Sequence, residues 1–151
     1  MGRSHPWARP GHACEKPAPP ENQERRLNGL TLDAGALIAL DRNDRRVIAL
    51  LGRAAERRLR VTVPATALAQ AIRKPAEQIR LAKLVRQSTT DLAPLDGPDA
   101  TAVGVLLALS RTADIVDAHV VVCARRRGQP IATSDPDDLR RLDPGAQLVR
   151  L

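Results

Sequence analysis

Along residues 29–151, short apolar runs alternate with longer stretches whose apolar positions recur every three or four residues. That alternation predicts strands and helices in turn. Gly29-Leu30-Thr31-Leu32-Asp33 is the first predicted strand, passing directly into a small-residue helix over residues 34–40. A polar turn at 41–44 leads to an amphipathic helix over 45–59, with Val47, Leu50, Leu51 and Ala54 on its inner side. Residues 60–63 form a second strand stopped by Pro64, followed by a helix over 65–73 and another from Pro75 to about Gln87. A third strand lies within 89–95, cut short by Pro94, and residues 98–109 form a strongly apolar helix. Asp114 and Asp117 open the next helix, which ends at Gly128. The run from Pro130 to Ala132 is a fourth strand, a short helix follows Pro136, and residues 147–151 form a last strand.

Strand and helix alternating throughout predict a three-layer α/β/α fold with a central parallel sheet covered on both faces. In open sheets of this kind, sites form beyond the carboxyl ends of the strands, where strand order reverses. Asp33 and Asp135 both occupy predicted strand ends, and Asp114 and Asp117 share a helix face about one turn apart. These acids are expected to converge across one crevice. Asp33 also suits the plainer role of capping the helix it precedes. Thr133 and Ser134, carried to the same strand end, are expected to hydrogen-bond the acids or a phosphate.

Carboxylates gathered in one crevice repel one another, and a hard divalent ion relieves the repulsion. Mg²⁺ takes oxygen ligands while keeping waters, and such an ion can activate water for phosphodiester cleavage. Other acids have simpler readings. Asp137 and Asp138 fall in the first turn of a helix, where its dipole favours negative charge. Asp96 and Asp99 flank Pro98 and read as turn and cap residues, and His119 reads as a packed or exposed histidine rather than a base. The chain holds no phosphate-cradling glycine loop, paired-cysteine metal motif or nucleophile elbow.

Composition adds constraints. The net charge is +7, which favours polyanionic partners. Arg125, Arg126 and Arg127 are candidate contacts to an RNA backbone, whereas Arg46, Arg53, Arg57 and Arg58 read first as a solvated helix face. Aromatic residues make up 1% of the chain, with no Phe or Tyr, so the core must be aliphatic and base stacking is excluded as the main mode of recognition. Residues 1–28 are rich in Pro, Arg and Glu without periodicity, and read as a disordered or mis-set extension ahead of a domain at 29–151. Within the extension, His5 and His12 read as solvated and Trp7 as no part of the core. Cys14 and Cys123 make no disulfide framework, and Cys123 reads as a small buried hydrophobe. No apolar run approaches the roughly 20 residues of a membrane span, and no secretory signal is evident, so a cytoplasmic location without membrane association is expected.

Four stretches carry a resemblance to a known family. They are Leu32-Asp33-Ala34-Gly35, Val63-Pro64-Ala65, Asp114-Ile115-Val116-Asp117-Ala118-His119-Val120, and Ala132-Thr133-Ser134-Asp135-Pro136-Asp137-Asp138-Leu139. In order and spacing they resemble PIN domains, particularly the ribonuclease toxins of VapC-type toxin–antitoxin pairs. The resemblance spans roughly residues 30–151. It implies a small α/β/α fold, a site for Mg²⁺ or Mn²⁺, an RNA substrate, a cognate antitoxin and frequent homodimers. The family's first acid falls on Asp33, its third on Asp117 and its fourth on Asp135, with Asp114 an additional acid nearby. Its second acid, commonly a Glu, falls on Gln70, whose neutral oxygen would weaken metal binding and water activation.

Two functions from different classes remain open. One is a metal-dependent endoribonuclease toxin. The other is a catalytically weak or inactive PIN-like module that binds RNA or protein. A phosphatase fits less well, because Asp33 is followed by Ala34-Gly35 rather than by the second Asp that such phosphotransferases use.

Overall fold

A computed structural model describes residues 28–151. The expectations for the N-terminal extension, including those for Trp7, His5, His12 and Cys14, lie outside the described residues. Five strands are present: β1 (Gly29–Leu32), β2 (Arg60–Pro64), β3 (Thr90–Ala93), β4 (Ile131–Thr133) and β5 (Leu148–Arg150). Seven helices connect them: α1 (Ala34–Asp41), α2 (Arg45–Glu56), α3 (Ala65–Ala71), α4 (Ile79–Arg86), α5 (Gly97–Ser110), α6 (Ile115–Arg127) and α7 (Pro136–Leu142).

All strand pairs are parallel, in the order β3-β2-β1-β4-β5. β1 is therefore central, and the chain builds outward from it in both directions. The order reverses between β1 and β4, whose register pairs Thr31 with Ile131 and Leu32 with Ala132. The burial pattern explains why β1 takes the centre: every residue of Gly29–Leu32 is buried. Gly29 is required at its start. Its φ is +149°, and a Cβ there would overlap the Arg60 carbonyl and the Gln129 side chain.

The core is aliphatic, as the near-absence of aromatics demands. Leu32, Leu37, Val47, Val63, Val120, Val121 and Ile131 are among its fully buried side chains. Helix α6 is buried continuously from Ala118 to Ala124, so it runs through the interior rather than along the surface. That explains its unbroken apolar sequence. Gly128 ends it in a left-handed conformation. Four helix starts are capped by aspartate side chains: Asp33 on α1, Asp44 on α2, Asp96 on α5 and Asp114 on α6. Among the described residues, no helix is long and apolar enough to cross a membrane.

The largest departure from the sequence pattern is in the segment before α4. Pro75 does not open that helix, which begins at Ile79. Residues 73–78 form a turn organised by Gln78, which is 6% exposed. Its Oε1 accepts from the Arg73 and Lys74 amides at 2.9 and 3.1 Å, and its Nε2 donates to the Ala71 carbonyl at 3.0 Å and to Asp41 at 3.2 Å. A side chain that satisfies three backbone groups outcompetes helix extension, which would leave them to water. Replacing Gln78 with Ala should lower stability by about 1–3 kcal/mol. Urea unfolding of the variant would show it, and an unchanged midpoint would mean that solvent satisfies those groups equally well.

Candidate active site

The chain leaves β1 at Leu32 and turns at once into α1, which fixes Asp33 at the carboxyl end of the central strand. Asp33 is 6% exposed, and its Oδ1 accepts from the Ala36 amide at 2.6 Å. Its own amide donates to the Ala132 carbonyl of β4 at 3.2 Å. Both readings of Asp33 therefore hold: it caps α1, and it lies at the strand end. At the end of β4, Thr133 is fully buried, with its Oγ1 accepting from the Asp135 amide at 2.9 Å. The same hydroxyl lies beside Asp33 and favours its ionised form. Thr133 thus ties the two strand ends together on either side of the reversal.

Helix α6 supplies the remaining acids. Asp114 caps it, accepting from the Asp117 amide at 3.0 Å, and Asp117 follows in the first turn. Burial comes first in raising the Asp117 carboxyl, which is pushed up to about 6, and the charges of Asp114, Asp33, Asp138 and Asp135 add to it. Burial likewise raises Asp33, with Asp135 contributing in the same sense. The acids therefore share one electrostatic neighbourhood. Asp33 lies at its floor, Asp117 is half-buried, and Asp114 and Asp135 are exposed at its rim.

Gly35 belongs to this site through space as well as sequence. A Cβ at position 35 would lie 2.4 Å from Ser134 Oγ and 3.3 Å from an Asp33 carboxylate oxygen. The missing side chain leaves room for the Ser134 hydroxyl over the turn that carries Asp33. Sequence spacing marked Gly35 only as part of a motif. Asp138, read from sequence as a helix-dipole residue, also adds its charge to the neighbourhood of Asp117.

Other candidates lie elsewhere. Gln70 is exposed near the end of α3, and no side-chain hydrogen bond among the described residues engages it. Arg125, Arg126 and Arg127 are at the far end of α6, roughly 12 Å along its axis from Asp117. Arg125 pairs with Asp143 at 2.8 Å, Arg126 with Asp99 at 2.7 Å, and Arg127 donates to the Cys123 carbonyl at 3.5 Å. A different basic set lies beside β5. Arg150 of β5 is in register with Thr133 of β4, and with Arg45, Arg46 and Arg53 it lines a groove of about 380 Å³. None of these four forms an ion pair among the described residues.

Asp99 is a correction. It does not simply occupy a turn but is buried at 6% exposure, facing Arg126 and His119. His119 is packed, as expected, and fully buried. Burial lowers the pKa of His119, so the imidazole is held neutral, and the same effect pushes the Cys123 thiol up to about 11.

The acidic crevice fits a hard divalent cation by its donor chemistry: carboxylates and hydroxyls alone, with two carboxyl groups raised by burial and by the charges of neighbouring acids. Its acids are not drawn as tightly as ligands around a bare ion. Among the described residues, the trio of His, Cys, Asp or Glu ligand atoms within 4.8 Å of one another is Asp99, His119 and Cys123. A wider spacing suits Mg²⁺, which keeps several waters and takes only one or two carboxylates directly.

No family model and no curated protein matches the chain. Solved structures do. The chain is similar to one in the crystal structure of FitAcB from Neisseria gonorrhoeae, at 16% identity and a TM-score of 0.58, covering 80% of this chain and 96% of that one. It is also similar to one in VapBC2 from Rickettsia felis bound to a DNA fragment from their promoter, at 14% identity and 0.59, covering 81% and 98%. A third likeness is to FitAB bound to an IR36 DNA fragment, at 16% and 0.56, covering 80% and 94%. These likenesses show a shared fold, the parallel α/β/α sheet that the sequence pattern predicts.

The raised Asp117 carboxyl has a consequence for stability. Its folded pKa lies above the unfolded value of 3.8, so the fold binds the proton more tightly and loses stability as pH rises from about 4 through about 6. Asp117→Asn should therefore be more stable than the parent at neutral pH, by about 1–2 kcal/mol after discounting for partial exposure. Denaturant unfolding at neutral pH and below pH 3.8 should show the gap closing in acid. Two parallel curves would mean that Asp117 carries no such strain.

Proposed function

We propose that this chain is a Mg²⁺- or Mn²⁺-dependent endoribonuclease acting as the toxin of a type II toxin–antitoxin pair. The observation that carries this reading is the meeting of Asp33, Asp114, Asp117 and Asp135 at the reversal between β1 and β4, where each raises or feels another's charge. These four carboxylates would hold the cation. When bound, it supplies an activated water and neutralises charge that develops on the phosphodiester.

The chain's own residues do the rest. The Ala36 amide and the Thr133 hydroxyl hold Asp33 in one orientation, so little reorganisation is needed when substrate arrives. The Ser134 hydroxyl, free to stand over Gly35, can donate to a phosphate oxygen beside the acids. Arg45, Arg46, Arg53 and Arg150 provide an unpaired basic groove one strand away, suited to the flanking RNA backbone. This groove takes the backbone role that sequence reading gave to Arg125, Arg126 and Arg127.

Two further surfaces suit the partners of such a toxin. Between α3 and α4 lies an apolar groove of about 260 Å³, lined by residues including Leu68, Ile72, Pro75, Leu81, Ala82 and Val85. It fits the apolar face of an antitoxin helix. On α5 and at the start of α6, Val105, Leu109 and Ile115 are exposed, with Leu109 at 80%, which suits a homodimer contact.

The second reading, a module that binds without cutting, is favoured by Gln70 where a Glu is usual. Incubating structured RNA with Mn²⁺ and the full chain separates the two. Cleavage should fall at least about 100-fold in Asp117→Ala and rise in Gln70→Glu. RNA retention without cleavage in the parent would instead establish the binding module, and equal cleavage by parent and Asp117→Ala would mean a contaminating nuclease. In binding titrations against salt, Arg46→Ala and Arg53→Ala should each weaken RNA binding across sequences and reduce the salt slope by about one. An unchanged slope would remove the groove from the RNA path.

A further inference from the structure

Asp99 begins the inner side of α5, and His119 and Cys123 stand one turn apart on α6. All three are buried, at 6%, 0% and 0% exposure, and their ligand atoms lie within 4.8 Å of one another. No hydrogen bond joins them. His119 Nε2 is 3.8 Å from Asp99 Oδ2, too far for one, and although it is sealed from solvent no well-formed hydrogen bond reaches it, the Pro94 carbonyl being the backbone acceptor beside the ring. A buried nitrogen left in this state is costly, and native interiors rarely tolerate one without a reason.

The surroundings supply the reason. Thr66 Oγ1 engages His119 Nδ1 at 2.7 Å and fixes the ring, which leaves Nε2 on the side of Asp99 Oδ2. Arg126 holds the other oxygen of Asp99 at 2.7 Å, leaving Oδ2 turned toward the histidine. Imidazoles that bind metals are held in the same way, one nitrogen on the ion and the other on a supporting group. The donors also differ in kind from those of the acidic crevice. A sulfur, a nitrogen and one oxygen select a borderline-soft ion, whereas carboxylates and hydroxyls select a hard one. Zinc takes these three donors at about 2.0–2.3 Å, which places tetrahedral ligand atoms roughly 3.3–3.8 Å apart. The observed Nε2–Oδ2 separation of 3.8 Å is a few tenths of an ångström wider than the roughly 3.3–3.5 Å of a nitrogen–oxygen pair, so the two side chains close slightly on binding.

We propose that Asp99 Oδ2, His119 Nε2 and Cys123 Sγ form a second metal site, specific for Zn²⁺-like ions, that fastens the start of α5 to the middle of α6. Binding exchanges the Cys123 thiol proton, released to solvent, for the dication, and a water completes the tetrahedron. The neutral imidazole brings its lone pair without losing a proton. Two anionic ligands balance the ion's charge, so burial carries no net charge on the ion and its ligands. The site is independent of the acidic crevice and of any nuclease activity.

Cobalt is the probe, because a thiolate ligand gives Co²⁺ a sulfur-to-metal charge-transfer band that oxygen ligands cannot. The chain has two cysteines, so in full-length Cys14→Ser any such band reports Cys123. One equivalent of Co²⁺ should produce the band together with intense visible absorption of tetrahedral cobalt. Zn²⁺ should abolish both, and excess Mg²⁺ should leave them unchanged. Asp99→Asn should weaken the binding at least about tenfold, and Cys123→Ser should remove the band. No charge-transfer band in Cys14→Ser would overturn the proposal, and that measurement needs no change in the core. A band that persists in Cys123→Ser but vanishes in Cys14→Ser would overturn it equally, by placing the metal on the N-terminal segment.

Discussion

The pairing of β1 with β4 is the constraint on which the rest of the molecule depends. Two segments about a hundred residues apart lie side by side because Thr31 and Leu32 are in register with Ile131 and Ala132. At the carboxyl edge the ladder continues past the strands themselves, with the Asp33 amide on the Ala132 carbonyl and the Thr133 hydroxyl beside the Asp33 carboxylate. At the other edge, Thr31 donates to Gln129 at 2.8 Å, and Gly29 leaves room for Gln129 to approach. Sliding this pair by one residue would turn every β1 side chain to the opposite face and take Asp33 away from β4. Register therefore sets both the core and the crevice.

That crevice is built against its own stability. Burying Asp33 and setting Asp117 among four other acids raises both carboxyl groups, and the fold bears the strain because α6 is anchored by a continuous buried stretch below its first turn. The capping bonds to Ala36 and Asp117 amides offset part of it. A site strained in this way has a high affinity for positive charge, and its strain is relieved only when positive charge arrives. The basic surroundings relieve it little: among the described residues no arginine pairs with Asp33, Asp114, Asp117 or Asp135, and only Arg141 reaches an acid of this neighbourhood, Asp138 at 3.7 Å.

Helix α6 carries three separate chemistries along one rod. Its first turn presents acids to the crevice, and its middle presents His119 and Cys123 to α5. Its last turn presents arginines, where cations suit the helix dipole and the carbonyl ends.

Much of the fold was legible in the residues. Strand and helix periods, Asp caps at 33 and 96, the stop at Gly128 and the proline-limited strands are local properties, encoded by side chains acting on their own backbone. The acids of the crevice were legible too, since strand ends and helix starts are where parallel sheets collect function. What sequence could not give were relations between distant segments. Gln78 stopping an expected helix, Ser134 lying over Gly35, Arg150 in register with Thr133, and Asp99 buried against His119 all arise from contacts between elements. Arg125 and Arg126 show the same limit, because sequence gave their charge but not the carboxylates, Asp143 and Asp99, that pair with it. Periodicity and capping determine elements one at a time, through short-range sterics and hydrogen bonds. Which side chains meet is decided only when the sheet is ordered and the helices pack, because that choice rests on burial and charge summed over the whole chain.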